Sequence, residues 1–297
     1  MTLAPGFSVG HWTGTGTGVT VVLCPEGTIG SGEIRGGAPA TRETALLEPE
    51  RTVECVDAVV FSGGSAFGLS AADGVLAWLV EHDRGFPTTG GRVPIVPTAA
   101  IYDLVVAGDE RVGASEGRAA IEQAATADDD SNGLVGAGRG ATVGKWRGPD
   151  HACAGGLGVA TQRVGEASVG ALAVVNAVGD VVDADGSPLA CSSAPPGTAP
   201  FPDEPFTGEA IGREATTLVA VVTDAQLTKA ACHLLAQSGH LGVAHAVRPS
   251  HTRHDGDLVV ALASGSAGEA HLDRLRVAAV DVAAEAVRAA VGHHGAR

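Results

Sequence analysis

Residues 183–215, "DADGSPLACSSAPPGTAPFPDEPFTGEAIGREA", are rich in proline and glycine and carry no apolar periodicity. They read as an exposed linker or long loop. The next residues open "TTLVAVVTDAQL" at Thr216. From Leu218 to Val222 this run reads as a buried strand, because β-branched side chains pack well on a pleated surface. A core strand that begins on two hydroxyls, where a long loop ends, divides the chain after residue 215. It leaves 82 residues (297 − 215) on the carboxy-terminal side.

The larger part predicts strands at Gly18–Cys24 and Asp57–Gly64, and a helix over Ser65–His82. Ala100–Val106 reads as a short buried piece near a bend. A second helix is predicted over Ser115–Ala125, with Ser115 as its cap. Asp128–Trp146 reads as a glycine-rich loop, and Gly155–Thr161 with Val169–Val182 as an antiparallel pair. After the linker come the Thr216 strand, a helix over Thr228–Val247, a strand over Asp257–Ser264 and a long helix over Ala270–Val291. Strands at both ends of the chain with helices between them favour an α+β layered sandwich over a doubly wound sheet.

Aromatic residues make up only 3% of the chain, so Val, Ala, Leu and Ile must build the core, and 43 glycines imply many tight turns and close backbone contacts. A formal charge of −15 argues against nucleic acid or an anionic membrane as partner. No window reaches the ~18 apolar residues of a membrane span. The amino terminus lacks a charged region followed by an apolar one, so no signal peptide is expected. Five widely spaced cysteines without a CxxC pair read as reduced thiols of a cytoplasmic protein. Eleven histidines form no HExxH set, and the "GHHGAR" tail reads as a solvated end, so no metal is expected. "GAGRGA" at Gly136–Ala141 matches a dinucleotide fingerprint but has no strand before it and no helix after it. "GRGATVGKW" lacks the spacing and the Ser/Thr of a phosphate loop. No cofactor is expected.

Polar residues in apolar surroundings carry more information. Lys145 stands among glycines and a tryptophan, Asn176 lies inside "ALAVVNAVGDVV", and Tyr102 is the sole tyrosine. Asp255 and Asp257 flank a glycine just before an apolar strand. Singly, each fits a structural role: a paired lysine, a satisfied amide, an Asx turn. The threonines supply a common cause. A cut before Thr216 would turn its nitrogen into a free α-amine with a pKa near ~8. One residue would then hold both nucleophile and general base, which is the N-terminal-threonine device for activating an alcohol.

The motifs "GGSAFGLSAADGV", "AAIYDL", "ATVGKW", "VVNAVGDV", "ATTLVAVVTDAQL" and "HTRHDGDLVVALA", in this order, resemble those of the β-aminopeptidase and L-aminopeptidase/D-esterase family. That family includes the nylon-oligomer hydrolases, and the match is collinear over roughly residues 8–290. The resemblance implies an αββα sandwich and a single-domain precursor, residues 1–297, that cuts itself into 1–215 and 216–297. The products would stay associated and build up to a homo-oligomer, a tetramer of processed heterodimers. It also implies an aminopeptidase-like amide hydrolase without cofactor, acting on a small peptide or amide. Thr216 then resembles the nucleophile, and Asp255 with Asp257 the pair that orients the nucleophile and its amine. Lys145 resembles the basic residue beside it, Asn176 the oxyanion-stabilising amide, and Tyr102 the substrate-facing phenol. The chain departs from the family at Ala215, where relatives usually carry Asn or Gly. Two other readings stay open at this point: an acyltransferase of the ornithine-acetyltransferase type, and an unprocessed binding or scaffold protein.

Overall fold

A computed structural model describes residues 3–127, 129, 131–201 and 214–291. Two five-stranded sheets face each other. The first runs in the order Ser8–Thr13, Gly18–Leu23, Ala58–Ser62, Thr98–Ala100, Thr41–Arg42. The second runs Gly156–Val164, Ala167–Asn176, Thr216–Ala225, Leu258–Gly268, Ile29–Ile34. Its strands are antiparallel except for the Thr216–Ala225 and Leu258–Gly268 pair, which is parallel.

Three apolar layers explain why the sheets stack. Val22, Val59 and Phe61 of the first sheet meet Leu172, Leu218 and Val260 of the second in the inter-sheet core. Helices Ala71–Glu81 and Ala114–Thr126 cover the outer face of the first sheet. Helices Lys229–Ala246 and Leu272–Ala289 cover the outer face of the second. The architecture is therefore the expected αββα sandwich. Covered on both faces, Ala167–Asn176 and Thr216–Ala225 are buried at every position. They read as continuous apolar runs instead of alternating ones for that reason. Small residues let the layers approach. A Cβ on Gly74 would lie 1.8 Å from the Ala114 carbonyl oxygen and one on Gly117 1.9 Å from that of Ala71, so the two helices of the first sheet can cross only on glycine.

Several expected boundaries move. Ser65–Ser70 is a 3₁₀ turn and the helix proper is Ala71–Glu81. Ser115 is not the cap of the following helix, which starts at Ala114; the Glu116 carboxylate instead accepts the Gly113 N–H at 2.8 Å. The expected strand Val169–Val182 ends at Asn176 and resumes as Asp180–Val182 in a separate small sheet with Pro188–Ala190 and Val247–Arg248. The glycine-rich stretch holds two-residue strand Thr142–Val143, paired with Cys153–Ala154. Residues 202–213 of the expected linker and the tail at 292–297 lie outside the described residues. Among the described residues no helix is long and apolar enough to cross a membrane, and no cluster of His, Cys, Asp and Glu is fit to hold a metal ion.

Candidate active site

Strand alternation decides which threonine faces the site. Leu218, Ala220 and Val222 enter the inter-sheet core, while Val219 and Val221 pack toward the helices. With a side-chain period of two, Thr216 shares the inter-sheet face and Thr217 the helix face. Leu172 and Val174 place Asn176 on that same inter-sheet face, and Asn176 stands directly opposite Thr216 in the antiparallel register.

Thr216 is buried, and its hydroxyl donates to the carbonyl oxygen of the preceding Ala215. That oxygen also accepts the Gly256 N–H at 2.9 Å, and the Ala215 N–H donates to the His254 carbonyl at 3.1 Å. The Ala215–Thr216 peptide is thus held as a short bridge against Asp255.

Lys145 reaches the next peptide upstream. Gly144 turns the chain with φ 76°, where a Cβ would meet the Ser192 nitrogen at 2.5 Å. The Lys145 ammonium then donates to the Glu214 carbonyl at 3.0 Å, the Asn176 carbonyl at 3.2 Å and Asn176 Oδ1 at 2.9 Å. Burial pushes its pKa down to about 7, against the opposing charges of Asp255, Glu214 and Asp103. Asn176 Oδ1 also accepts the Thr142 N–H at 2.9 Å, and Nδ2 donates to the Tyr102 carbonyl at 3.1 Å.

The two aspartates divide their work. Asp255 accepts from the Thr252 N–H at 2.8 Å, the Thr252 hydroxyl at 2.7 Å and the Val178 N–H at 3.2 Å. Part of its role is therefore the turn that the i, i+2 spacing suggested. Burial, and then the charge of Asp257, push its pKa up to about 6 against those hydrogen bonds. Asp257 accepts the Thr217 N–H at 2.6 Å through Oδ1 and His251 Nδ1 at 2.7 Å through Oδ2.

Beside this cluster lies a cavity of about 140 Å³ lined by Tyr102, Asp103, Val106, Lys145, Pro149 and Glu214. A larger one of about 640 Å³, near Gln162, His245 and Arg288, contains none of the residues above. Four of the expected residues (Thr216, Lys145, Asn176 and Asp257) are linked by hydrogen bonds to one another or to the Glu214–Thr217 backbone. Asp255 stands beside them, paired with Ala215 in the bridge while its carboxylate bonds Thr252 and Val178. Tyr102 joins through its carbonyl and is one of the residues that line the cavity. Sequence reasoning missed three contributors. Gly256 and His251 belong to the quoted "HTRHDGD" stretch but carried no signal of their own. Asp103 follows Tyr102; it is 2% exposed, accepts the Gly64 N–H at 2.7 Å, and has its pKa raised above the usual carboxylate range chiefly by burial.

Comparison with known proteins gives the family and the fold. The model of peptidase family S58 matches residues 1–294. An uncharacterized aminopeptidase of Mycobacterium leprae is 43% identical over 287 residues, covering 88% of this chain and 77% of the relative. A 6-aminohexanoate-oligomer endohydrolase of Paenarthrobacter ureafaciens is 29% identical over 279 residues, covering 87% of this chain and 73% of the relative. The structure of an L-aminopeptidase D-Ala-esterase/amidase from Ochrobactrum anthropi, described as a variant of the Ntn-hydrolase fold, superposes with a TM-score of 0.69. It is 18% identical and covers 97% of this chain and 84% of its own. The fold is thus that of the Ntn-hydrolase aminopeptidases. The chain belongs to peptidase family S58 and is a hydrolase of amide bonds.

Proposed function

We propose that the chain cuts itself between Ala215 and Thr216 and then hydrolyses small peptides or other linear amides with Thr216 as an N-terminal nucleophile. The observation that carries this reading is the Thr216 hydroxyl lying on the Ala215 carbonyl while the Gly256 N–H grips the same oxygen. In self-cleavage the Thr216 oxygen adds to the Ala215 carbonyl carbon and gives up its proton. The Ala215–Thr216 C–N bond then breaks as the nitrogen takes a proton, leaving an ester and a free amine. Water hydrolyses the ester to the Ala215 carboxylate and regenerates the hydroxyl. The cut replaces an amide nitrogen, which cannot act as a base, with an amine that can. In turnover that amine takes the hydroxyl proton while the oxygen attacks the substrate carbonyl. It passes the proton to the departing amine, and water then releases the acyl group.

The other residues take supporting roles in this reading. The Gly256 N–H is a preorganised donor for the oxyanion of self-cleavage, and donors so placed stabilise developing charge strongly where water is excluded. Asn176, opposite the nucleophile, is the amide donor for the substrate's oxyanion once the cut loosens the segment before Thr216. Lys145, poised near neutrality by burial, sits where it can exchange a proton with the nucleophile or the leaving group. Asp257 fixes the peptide after the nucleophile, Asp255 the bridge before it. The cavity that Tyr102 lines receives the acyl part. Residues 1–215 and 216–297 remain together as processed heterodimers that assemble into a homo-oligomer in the cytoplasm. Intact-mass analysis tests the central claim: two fragments should appear, and Edman sequencing of the smaller should begin Thr-Thr-Leu-Val. A chain still whole after prolonged incubation would overturn it.

A further inference from the structure

His251 is a titratable side chain that touches Asp257 of the acidic pair and has no role in the chemistry above. It sits at φ 54°, a left-handed conformation uncommon for a non-glycine residue. In that conformation its backbone N–H and its Nδ1 both reach Oδ2 of Asp257, at 3.2 Å and 2.7 Å. The far side of the ring faces another acceptor, with Nε2 3.4 Å from the His240 carbonyl. A neutral imidazole has one N–H, whereas two acceptors facing its two nitrogens call for the doubly protonated ring. Asp257 spends its other oxygen on the Thr217 N–H at 2.6 Å. One carboxylate therefore links the His251 ring to the peptide plane that leads out of Thr216.

We propose that His251, as an imidazolium, is a positioning residue for the nucleophile. It clamps Asp257 onto the Thr217 amide and cancels the charge that Asp257 would otherwise press on Asp255. The surroundings agree in sign. Burial opposes a charged His251, but the hydrogen bond and charge of Asp257 and the His240 carbonyl outweigh it, and the ring's pKa lies above the usual histidine value. The other groups facing it are few. His240 packs edge-on with ring centroids 4.9 Å apart, and burial pushes its pKa down to about 3, so it is neutral. Arg35 acts weakly against the charge and is itself tied to Glu33 at 2.9 Å. Asp255 is the neighbour whose ionisation the pair controls, since the Asp257 charge helps to raise its pKa.

The inference rests on Thr216 being the nucleophile. Its test is the pH dependence of His251→Gly, a substitution suited to a left-handed backbone. Without the imidazolium the Asp257 charge is uncompensated and Asp255 holds its proton to higher pH. The acid limb of both self-cleavage and amide hydrolysis should move up by about one pH unit, a roughly fivefold loss at pH 6 that approaches about tenfold below it and shrinks by pH 8. Added imidazole should move the limb back. His251→Asn, which keeps a donor to Asp257 without a charge, should show the same shift and serves if the glycine variant does not fold. An acid limb unmoved in whichever variant folds, with imidazole having no effect, overturns the inference, because a merely structural histidine would lower amplitude and stability alone. Thr216→Ala is run in parallel. If it still cuts and hydrolyses, the nucleophile assignment fails and the inference with it. If it is dead while the limb is unmoved, only the His251 inference fails.

Discussion

Thr216 and Asn176 stand directly opposite each other at the shared end of two central antiparallel strands, on the face that looks into the inter-sheet layer. Thr217, one residue on, looks the other way, and its hydroxyl is buried without a hydrogen-bond partner. The pleat alone separates two chemically identical side chains into one aimed at the Ala215 carbonyl and one packed under helices.

The first prediction uses that separation. Thr216→Ala removes the attacking oxygen and should abolish both self-cleavage and hydrolysis, while Thr216→Ser should keep some of each. Thr217→Val keeps the shape and removes an unsatisfied hydroxyl, so it should cut, turn over substrate and be as stable or more so by about 1 kcal/mol. Denaturing gels and urea midpoints read both outcomes. A dead, uncut Thr217→Val beside a functional Thr216→Ala would shift the nucleophile by one residue.

The Thr216 strand, the strand ending at Asn176 and the two carboxy-terminal helices were legible because their apolar runs are long and bounded. The candidate site residues were legible because a lysine stands among glycines, an amide lies inside an apolar run and two carboxylates come just before one. Ile29–Ile34 was not: Gly30 and Gly32 hide an edge strand whose glycines are there because a Cβ on Gly30 would lie 2.5 Å from Val56 Cγ2. Ser8–Thr13 was hidden in the same way by Gly10, where a Cβ would lie 2.2 Å from the Ala120 carbonyl oxygen. His251 escaped notice because its link to Asp257 depends on one left-handed residue. Asp103 escaped because its partner, the Gly64 N–H, comes from a loop 39 residues earlier.

Lys145 gives a stability prediction. Its pKa is about 7 in the folded chain against an ordinary value of 10.5, so between those values the unfolded chain binds more protons and stability rises with pH. In an uncut Thr216→Ala background, Lys145→Met should lose that rise, a difference of a few kcal/mol between pH 7 and 10 at most. Urea titrations at both pH values measure it. In the wild-type background Lys145→Met should also slow self-cleavage, since the Glu214 carbonyl and Asn176 Oδ1 each lose a donor. A pH slope equal to that of the parent would show the lysine to be solvated and ordinary.

Asp255 sets an acid limit. Its pKa is raised to about 6, so the folded chain binds more protons than the unfolded one between about 4 and 6. The stability this contributes is full below that range and is lost as pH rises through about 6. Self-cleavage should therefore climb through pH 6 as the carboxylate forms. Asp255→Asn should abolish the climb and slow cleavage by about 10²-fold. The asparagine oxygen can still accept from Thr252, but its amide nitrogen then faces the Val178 N–H, a donor against a donor costing about 1–3 kcal/mol. Circular dichroism should show the fold retained, and a cleavage profile unchanged from pH 5 to 8 would return Asp255 to a purely structural turn.

Gly256→Ala tests the geometry of the Ala215–Thr216 peptide without replacing any polar side chain. A Cβ there would stand 2.9 Å from the Thr216 hydroxyl oxygen, 2.5 Å from the Ala38 carbonyl oxygen and 2.9 Å from Pro39 Cα. Two of those neighbours are backbone and cannot rotate away, so either the strand moves or the hydroxyl does. Moving the hydroxyl takes it off the Ala215 carbonyl; moving the strand stretches the 2.9 Å bond by which the Gly256 N–H holds the same oxygen. Either way self-cleavage should be lost or slowed by at least about 10²-fold, the scale of removing one oxyanion donor, with about 1–3 kcal/mol lost to overpacking. Gly90→Ala is the control, because its Cβ would meet nothing nearer than Thr88 Oγ1 at 3.9 Å, and it should cut at the parent rate. Time-resolved intact-mass measurements compare the two. A Gly256→Ala chain that folds and cuts like the control would show that the hydroxyl attacks from a position other than the one it holds in the intact chain.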